Sequence, residues 1–141
     1  MDVREQYLKN QASCSSPEQL LIMLLEGGER FIRKADAELN RNNMDEVHNN
    51  LIKAQNIYLE LFCSLNPDGG DFVSNLQGLY YTMYENLMDA NVKKDHCVID
   101  KCQQIAQQLT KMWRETIDKY SMERMNGNGV TYKPGNIDIR G

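Results

Sequence analysis

The sequence predicts an all-α protein, an antiparallel four-helix bundle, on three observations. Apolar residues recur at steps of three and four through four successive segments. The three prolines, Pro17, Pro67 and Pro134, stand only at segment boundaries. Residues suited to capping precede each segment. At 141 residues the chain suits one domain. It divides into an N-terminal cap segment (1–14), a bundle (15–126) and a C-terminal tail (127–141).

Residues 1–14 read as a short amphipathic helix carrying Tyr7 and Leu8. The first long helix starts at Ser16-Pro17-Glu18-Gln19, with Ser16 as N-cap, Pro17 at N1 and Gln19 placed to close a capping box. It runs to about Leu39 along a seam of Leu20, Leu24, Gly28, Phe31, Ala35 and Leu39. Asn43 with Glu46 repeats the capping pattern and opens the second helix, which reaches about Leu65. Its seam is Met44, Val47, Leu51, Ala54, Tyr58, Leu61 and Leu65. Asn66-Pro67-Asp68-Gly69-Gly70 is a turn by composition. Asp71 is the expected cap of the third helix, which ends near Asn91 and shows Phe72, Leu76, Leu79, Met83, Leu87 and Ala90. Asp95 caps the fourth, whose seam is Val98, Cys102, Ile105, Leu109, Met112 and Thr116. It stops near Met125, ahead of Gly127. Short loops favour antiparallel neighbours, hence a bundle. The tail, with Gly127, Gly129, Pro134 and Gly135, reads as irregular.

Several function classes fall away on composition. The net charge is −4 and no Lys/Arg run appears, which argues against nucleic acid as a partner. Met1-Asp2-Val3-Arg4-Glu5 is charged where a signal peptide needs an apolar run. No apolar stretch approaches the ~20 residues of a membrane span, so membrane insertion is not expected. Cys14, Cys63, Cys97 and Cys102 form no CxxC pair and read as reduced thiols of a cytosolic protein. A di-iron bundle would need Glu-x-x-His on two helices, yet neither His48 nor His96 has a Glu three residues before it. Asp45 does precede His48 by three, at a helix start. No metal site, cofactor or catalytic group is therefore expected, and the chain reads as a binding protein, not an enzyme.

Three helices carry more apolar surface than one seam. At 100° per residue, Ile52 and Leu59 lie about 110–130° from the centre of the second helix's seam. Tyr84 is offset by about 100° on the third helix, and Tyr81 and Met88 by about 140–160°. Ile99, Ala106, Trp113 and Ile117 form a flanking stripe on the fourth. Either the termini and wide interhelical contacts cover these positions, or they form a groove for a peptide. Met and Tyr suit the second case, Met by adapting its shape and Tyr by joining apolar area to a polar tip.

From about Tyr7 to Tyr120 the chain resembles the flagellar export chaperone FliS family. The resemblance is carried by Ser16-Pro17-Glu18-Gln19-Leu20-Leu21, Met23-Leu24-Leu25-Glu26-Gly27, and Lys53-Ala54-Gln55-Asn56-Ile57 with Glu60-Leu61 and Ser64-Leu65. It continues through Gly69-Gly70, Asn75-Leu76, Leu79-Tyr80, Met83, Leu87, Ala90-Asn91 and Trp113. Departures fall at Leu25 and Gly28, where the family usually has Tyr and a small residue other than glycine, and at Glu85-Asn86, where it has a basic pair. The resemblance implies a chaperone that holds the disordered C-terminal segment of flagellin in apolar grooves, preventing premature polymerisation. It also implies an N-terminal segment that covers part of the groove when empty, so that Tyr7 and Leu8 either take that role or, on the alternative reading, Tyr7 caps the bundle permanently. A component of the export gate is the second implied partner. Ile52, Leu59, Tyr81, Tyr84, Met88, Ile99, Ala106 and Trp113 are the expected contacts of the client. An adaptor or regulator serving another export or signalling partner is the alternative reading.

Overall fold

The computed structural model describes residues 16–125, with backbone alone for 121–125. Four helices follow in order: α1 (Pro17–Asn40), α2 (Met44–Cys63), α3 (Gly70–Lys93) and α4 (His96–Met125). The expected N-terminal cap segment, including Tyr7 and Leu8, and the tail lie outside the described residues.

Local chemistry accounts for most of the ends. The Ser16 hydroxyl accepts the Gln19 N–H at 3.2 Å, and Pro17 occupies the first turn, where no N–H is needed. Asp95 accepts the Cys97 N–H at 2.7 Å and opens α4. Two expected caps differ. The Asn43 side chain makes no capping bond, and α3 starts one residue before Asp71, on Gly70 at φ +82°. Glycine adopts that left-handed backbone without a Cβ penalty, so the turn itself starts the helix. Lys94, at φ 47°, closes α3 with its N–H on the Ala90 carbonyl at 2.7 Å.

Cross-helix contacts give the register. Gly28 faces Tyr58 between α1 and α2, and His48 Nδ1 meets Asn91 Oδ1 at 3.2 Å between α2 and α3. Trp113 of α4 reaches Tyr80 of α3, while Glu26 and Asp36 of α1 reach Arg114 and His96 of α4. With Lys53 beside Phe31, Phe62 beside Tyr81 and Asp89 near Cys102 as second contacts, numbers fall on one helix of each pair as they rise on the other, so all four neighbouring pairs are antiparallel and α1 closes the ring against both α2 and α4. Because α2 ends at Cys63 while Phe62 already meets Tyr81, the first turns of α3 run on past α2.

One core fills the ring. From α2 come Val47, Leu51, Ala54, Tyr58, Leu61 and the following Leu65, as its seam predicts apart from exposed Met44, and Ile57 is buried beside them. From α1 the seam Leu20, Leu24, Phe31 and Ala35 is joined by Leu21, Leu25 and Ile32, so this helix buries a face wider than one stripe. On α3 the buried set is Val73, Leu76, Tyr80, Met83, Leu87 and Ala90, with Phe72 and Leu79 outside it. On α4 it is Ile99, Cys102, Ala106, Leu109 and Trp113, with Val98, Ile105, Met112 and Thr116 only partly buried.

Burial pushes the Cys102 thiol up from 9.0 to about 11, with the Asp89 carboxylate adding to the rise. The group therefore favours the folded state fully below about pH 9, and that contribution is lost as pH climbs through about 11. The expected consequence is selective chemistry. Cys63 and Cys97, both exposed, react with a thiol reagent at pH 8, whereas Cys102 reacts only after unfolding. Peptide mass mapping of the alkylated protein checks this, and native-state labelling of Cys102 would contradict it.

Candidate partner-binding face

Exposed apolar side chains gather along one flank of the α2/α3 pair. Ile52 (37% exposed) and Leu59 (43%) stand on α2; Tyr81 (52%) and Met88 (45%) stand on α3, with Tyr84 half-buried between them. The antiparallel register sets the two rows side by side. Phe62, half-buried at the end of α2, brings its ring 6.1 Å from Tyr81, which stacks on Tyr84 at 6.4 Å. These side chains sit beyond the reach of the core because they lie more than a quarter-turn from each helix's buried stripe. Large apolar groups held in water next to one another form a surface that gains by being covered.

The expected stripe on α4 is corrected by the structure. Ile99 and Trp113 are each 1% exposed and Ala106 is 0% exposed, so all three lie in the core of this structure and form no open stripe. The reason is the size and polarity of Trp113. Turned inward, it buries the largest apolar side chain of the helix while its indole N–H donates to the Tyr80 hydroxyl at 2.9 Å. Turning Met112 and Thr116 inward instead would leave that indole in water. Ile117 is partly buried against the same core.

On the other flank of α3, sequence reasoning missed a second apolar row. Phe72 (51% exposed) and Leu79 (44%), seven residues apart, remain outside, and Phe72 lies edge-on to Trp113 at 6.1 Å. Their only signal in the sequence is that 72 and 79 compete with 73 and 80 for the same seam. Tyr80 wins the inward place, where its hydroxyl receives Trp113. Phe62 was likewise missed.

The helix surfaces hold little that suggests chemistry. Among the described residues no group of three or more His, Cys, Asp or Glu is placed to hold a metal ion. A cavity of about 370 Å³ opens between α1 and α4, lined by Glu26, Glu29, Arg33, Gln107, Thr110, Lys111 and Arg114. Two of its acids are already engaged, Glu26 by Arg114 and Glu29 by the Thr110 hydroxyl, each at 2.7 Å. No described helix is long and apolar enough to cross a membrane.

The family model described as flagellar protein FliS matches residues 1–120. The flagellar secretion chaperone FliS of Bacillus subtilis (strain 168) is 29% identical over 124 residues, covering 88% of this chain and 92% of that protein. The flagellar secretion chaperone FliS of Salmonella typhimurium is 28% identical over 111 residues, covering 77% and 82%. A crystal structure of a flagellar chaperone from bacteria superposes with a TM-score of 0.67 at 27% identity, over 82% of this chain and 94% of that one. With a match that spans most of its length and a bundle of the same shape, the chain belongs to the FliS family.

Proposed function

We propose that this chain is a flagellar export chaperone whose α2/α3 strip holds the C-terminal segment of flagellin in the cytosol. The observation that carries this reading is the run of Ile52, Leu59, Phe62, Tyr81, Tyr84 and Met88 along one flank of a family member's bundle. From Ile52 to Phe62 the strip is about 15 Å long, the length of nearly three helical turns. An amphipathic segment can lay its own apolar side against a strip of that length. Such a segment would be disordered before binding, so its affinity is what remains after the cost of ordering it. The second row, Phe72 and Leu79, gives a long client a further place to touch across α3. The work done is binding, and a component of the export gate is the expected receiver of the loaded client. The groove-covering role of Tyr7 and Leu8 belongs to the same proposal.

Calorimetry with a peptide from the flagellin C-terminus tests the reading. Heat of binding is expected at tens of micromolar, and none with folded protein would overturn it. In Tyr81→Asp, a charge placed in the middle of the strip must be desolvated by the client. Affinity should fall at least tenfold, about 1.4 kcal/mol or more. Tyr81 is half out of the bundle, so the melting temperature should hardly move. Equal loss of stability and affinity would place Tyr81 in the core instead.

A further inference from the structure

Glycine is a poor helix former, because its backbone loses the most freedom on being fixed. Gly78 nevertheless stands well inside α3, a helix of 24 residues. The bundle's own packing does not require it. A Cβ built at Gly78 would have no atom within 4 Å, whereas one at Gly28 would press on the Tyr58 hydroxyl at 2.6 Å. Position 78 is exposed, so a residue with a side chain would strengthen the helix there at no steric cost.

The surroundings of Gly78 supply a reason. At 100° per residue it lies about 60° round α3 from Tyr81 and about 100° from Leu79. It therefore stands on the outward ridge between two exposed apolar rows, Tyr81 and Met88 on the α2 side and Phe72 and Leu79 on the α4 side. Phe62, next to the last residue of α2, meets Tyr81 at 6.1 Å. A chain lying along the strip thus runs out of α2 within one turn of Gly78. To continue onto Leu79 and Phe72 it must pass over α3, and the bare backbone lowers the ridge at that place. Close approach of a second backbone is a use that only glycine serves without a Cβ in the way. Asn75 and Thr82, exposed one turn to either side, offer an amide and a hydroxyl to the peptide groups of a crossing strand.

We infer that Gly78 is the point at which the flagellin segment crosses α3 in extended form, from the α2/α3 strip to the Phe72/Leu79 row. The inference rests on the binding of that segment to the strip, as proposed above. An extended strand fits the gap between Asn75 and Thr82. A helix, about 10 Å across with its side chains, would rest on those two residues and not reach the glycine.

The test is calorimetry with the flagellin C-terminal peptide on the full chain, Gly78→Gln, Leu79→Asp and the double variant. Gly78→Gln should melt about 2–4 °C higher than the original chain. It should nevertheless bind the peptide about fivefold more weakly or worse, as should Leu79→Asp. Leu79 is 44% exposed, so its replacement keeps the fold, which a circular dichroism melt verifies. In the double variant the client no longer reaches the second row, so Leu79→Asp should cost less than about twofold further. Full additivity would overturn the crossing, since the two positions would not lie on one path. A lower melting temperature for Gly78→Gln would also overturn it, because the glycine would then serve the bundle. Equal binding by Gly78→Gln and the original chain sinks the crossing and leaves the strip as the client site. No binding by the original chain removes both. A dimer of the original chain that Gly78→Gln breaks, seen by sedimentation velocity, would give the gap to a second copy and overturn the inference.

Discussion

Trp113→Ala is expected to destabilise the protein by about 3–5 kcal/mol, a large share of the ~5–15 kcal/mol that holds a domain folded. The side chain is 1% exposed, sits under the edge-on Phe72 ring and donates to the Tyr80 hydroxyl at 2.9 Å. Its removal opens a cavity where α3 and α4 meet and withdraws a donor from a buried hydroxyl. Urea denaturation followed by circular dichroism, which does not depend on indole fluorescence, measures the loss as a lower midpoint at similar slope. The milder Trp113→Phe separates structure from recognition. It gives up the N–H but keeps most of the volume, so the fold survives with reduced stability. Because Trp113 is sealed inside, affinity for a flagellin peptide should change less than threefold. A midpoint for Trp113→Ala equal to that of the original chain would mean that α4 does not present residue 113 to the core.

Gly28→Ala should also destabilise, although alanine is by itself the better helix former by ~1 kcal/mol. A Cβ at position 28 would stand 2.6 Å from the Tyr58 Oη, 2.8 Å from its Cζ and 3.0 Å from its Cε2. Those distances are inside van der Waals contact, and the ring is 0% exposed with no open side to move into. Overpacking of this kind costs typically 1–3 kcal/mol, which exceeds the gain in propensity. The companion variant Tyr58→Phe sharpens the test. The Tyr58 hydroxyl is buried and has no hydrogen-bond partner among the described residues. Burial, with the charge of Glu29 next, pushes its ionisation far above the usual tyrosine range. Deleting an unpaired buried hydroxyl should be neutral or stabilising by up to ~1 kcal/mol. It also removes the nearest atom from the clash, so Gly28→Ala should cost less in the Tyr58→Phe background. Thermal melts of the four proteins decide the matter, and a Gly28→Ala protein more stable than the original would show that α1 and α2 are packed less closely there.

How far the fold was legible depended on how many faces a helix offered. On α2, Val47, Leu51, Ala54, Tyr58, Leu61 and Leu65 make one unbroken stripe, and the core uses it as read. The exposed positions Ile52, Leu59, Tyr81 and Met88 were legible for the same reason, since they lie far round from any stripe of their helices. On α3, the pairs 72/79 and 73/80 both complete a three-and-four pattern with Leu76 and Met83. On α4, 98/105/112 competes with 99/106/113 around Cys102 and Leu109. Adjacent residues differ by only ~100° in direction, so periodicity accepts either set. On α1, the extra buried residues Leu21, Leu25 and Ile32 reflect its place between α2 and α4 in the ring.

The number of helices, their order, their approximate ends and the resemblance to a chaperone family came from the sequence alone. These are properties of short segments: caps at Ser16 and Asp95, breakers at the turns, and repeats a few residues long. Only the tertiary structure decided how α3 and α4 are turned about their axes, because that rotation depends on a neighbour. Trp113 faces inward where Tyr80 can accept its proton, and Tyr58 fits only because position 28 has no side chain. The meeting of Lys53 with the Phe31 ring is of the same kind. Residues far apart in the chain become neighbours through the packing of α1 on α2, and no local pattern records that contact.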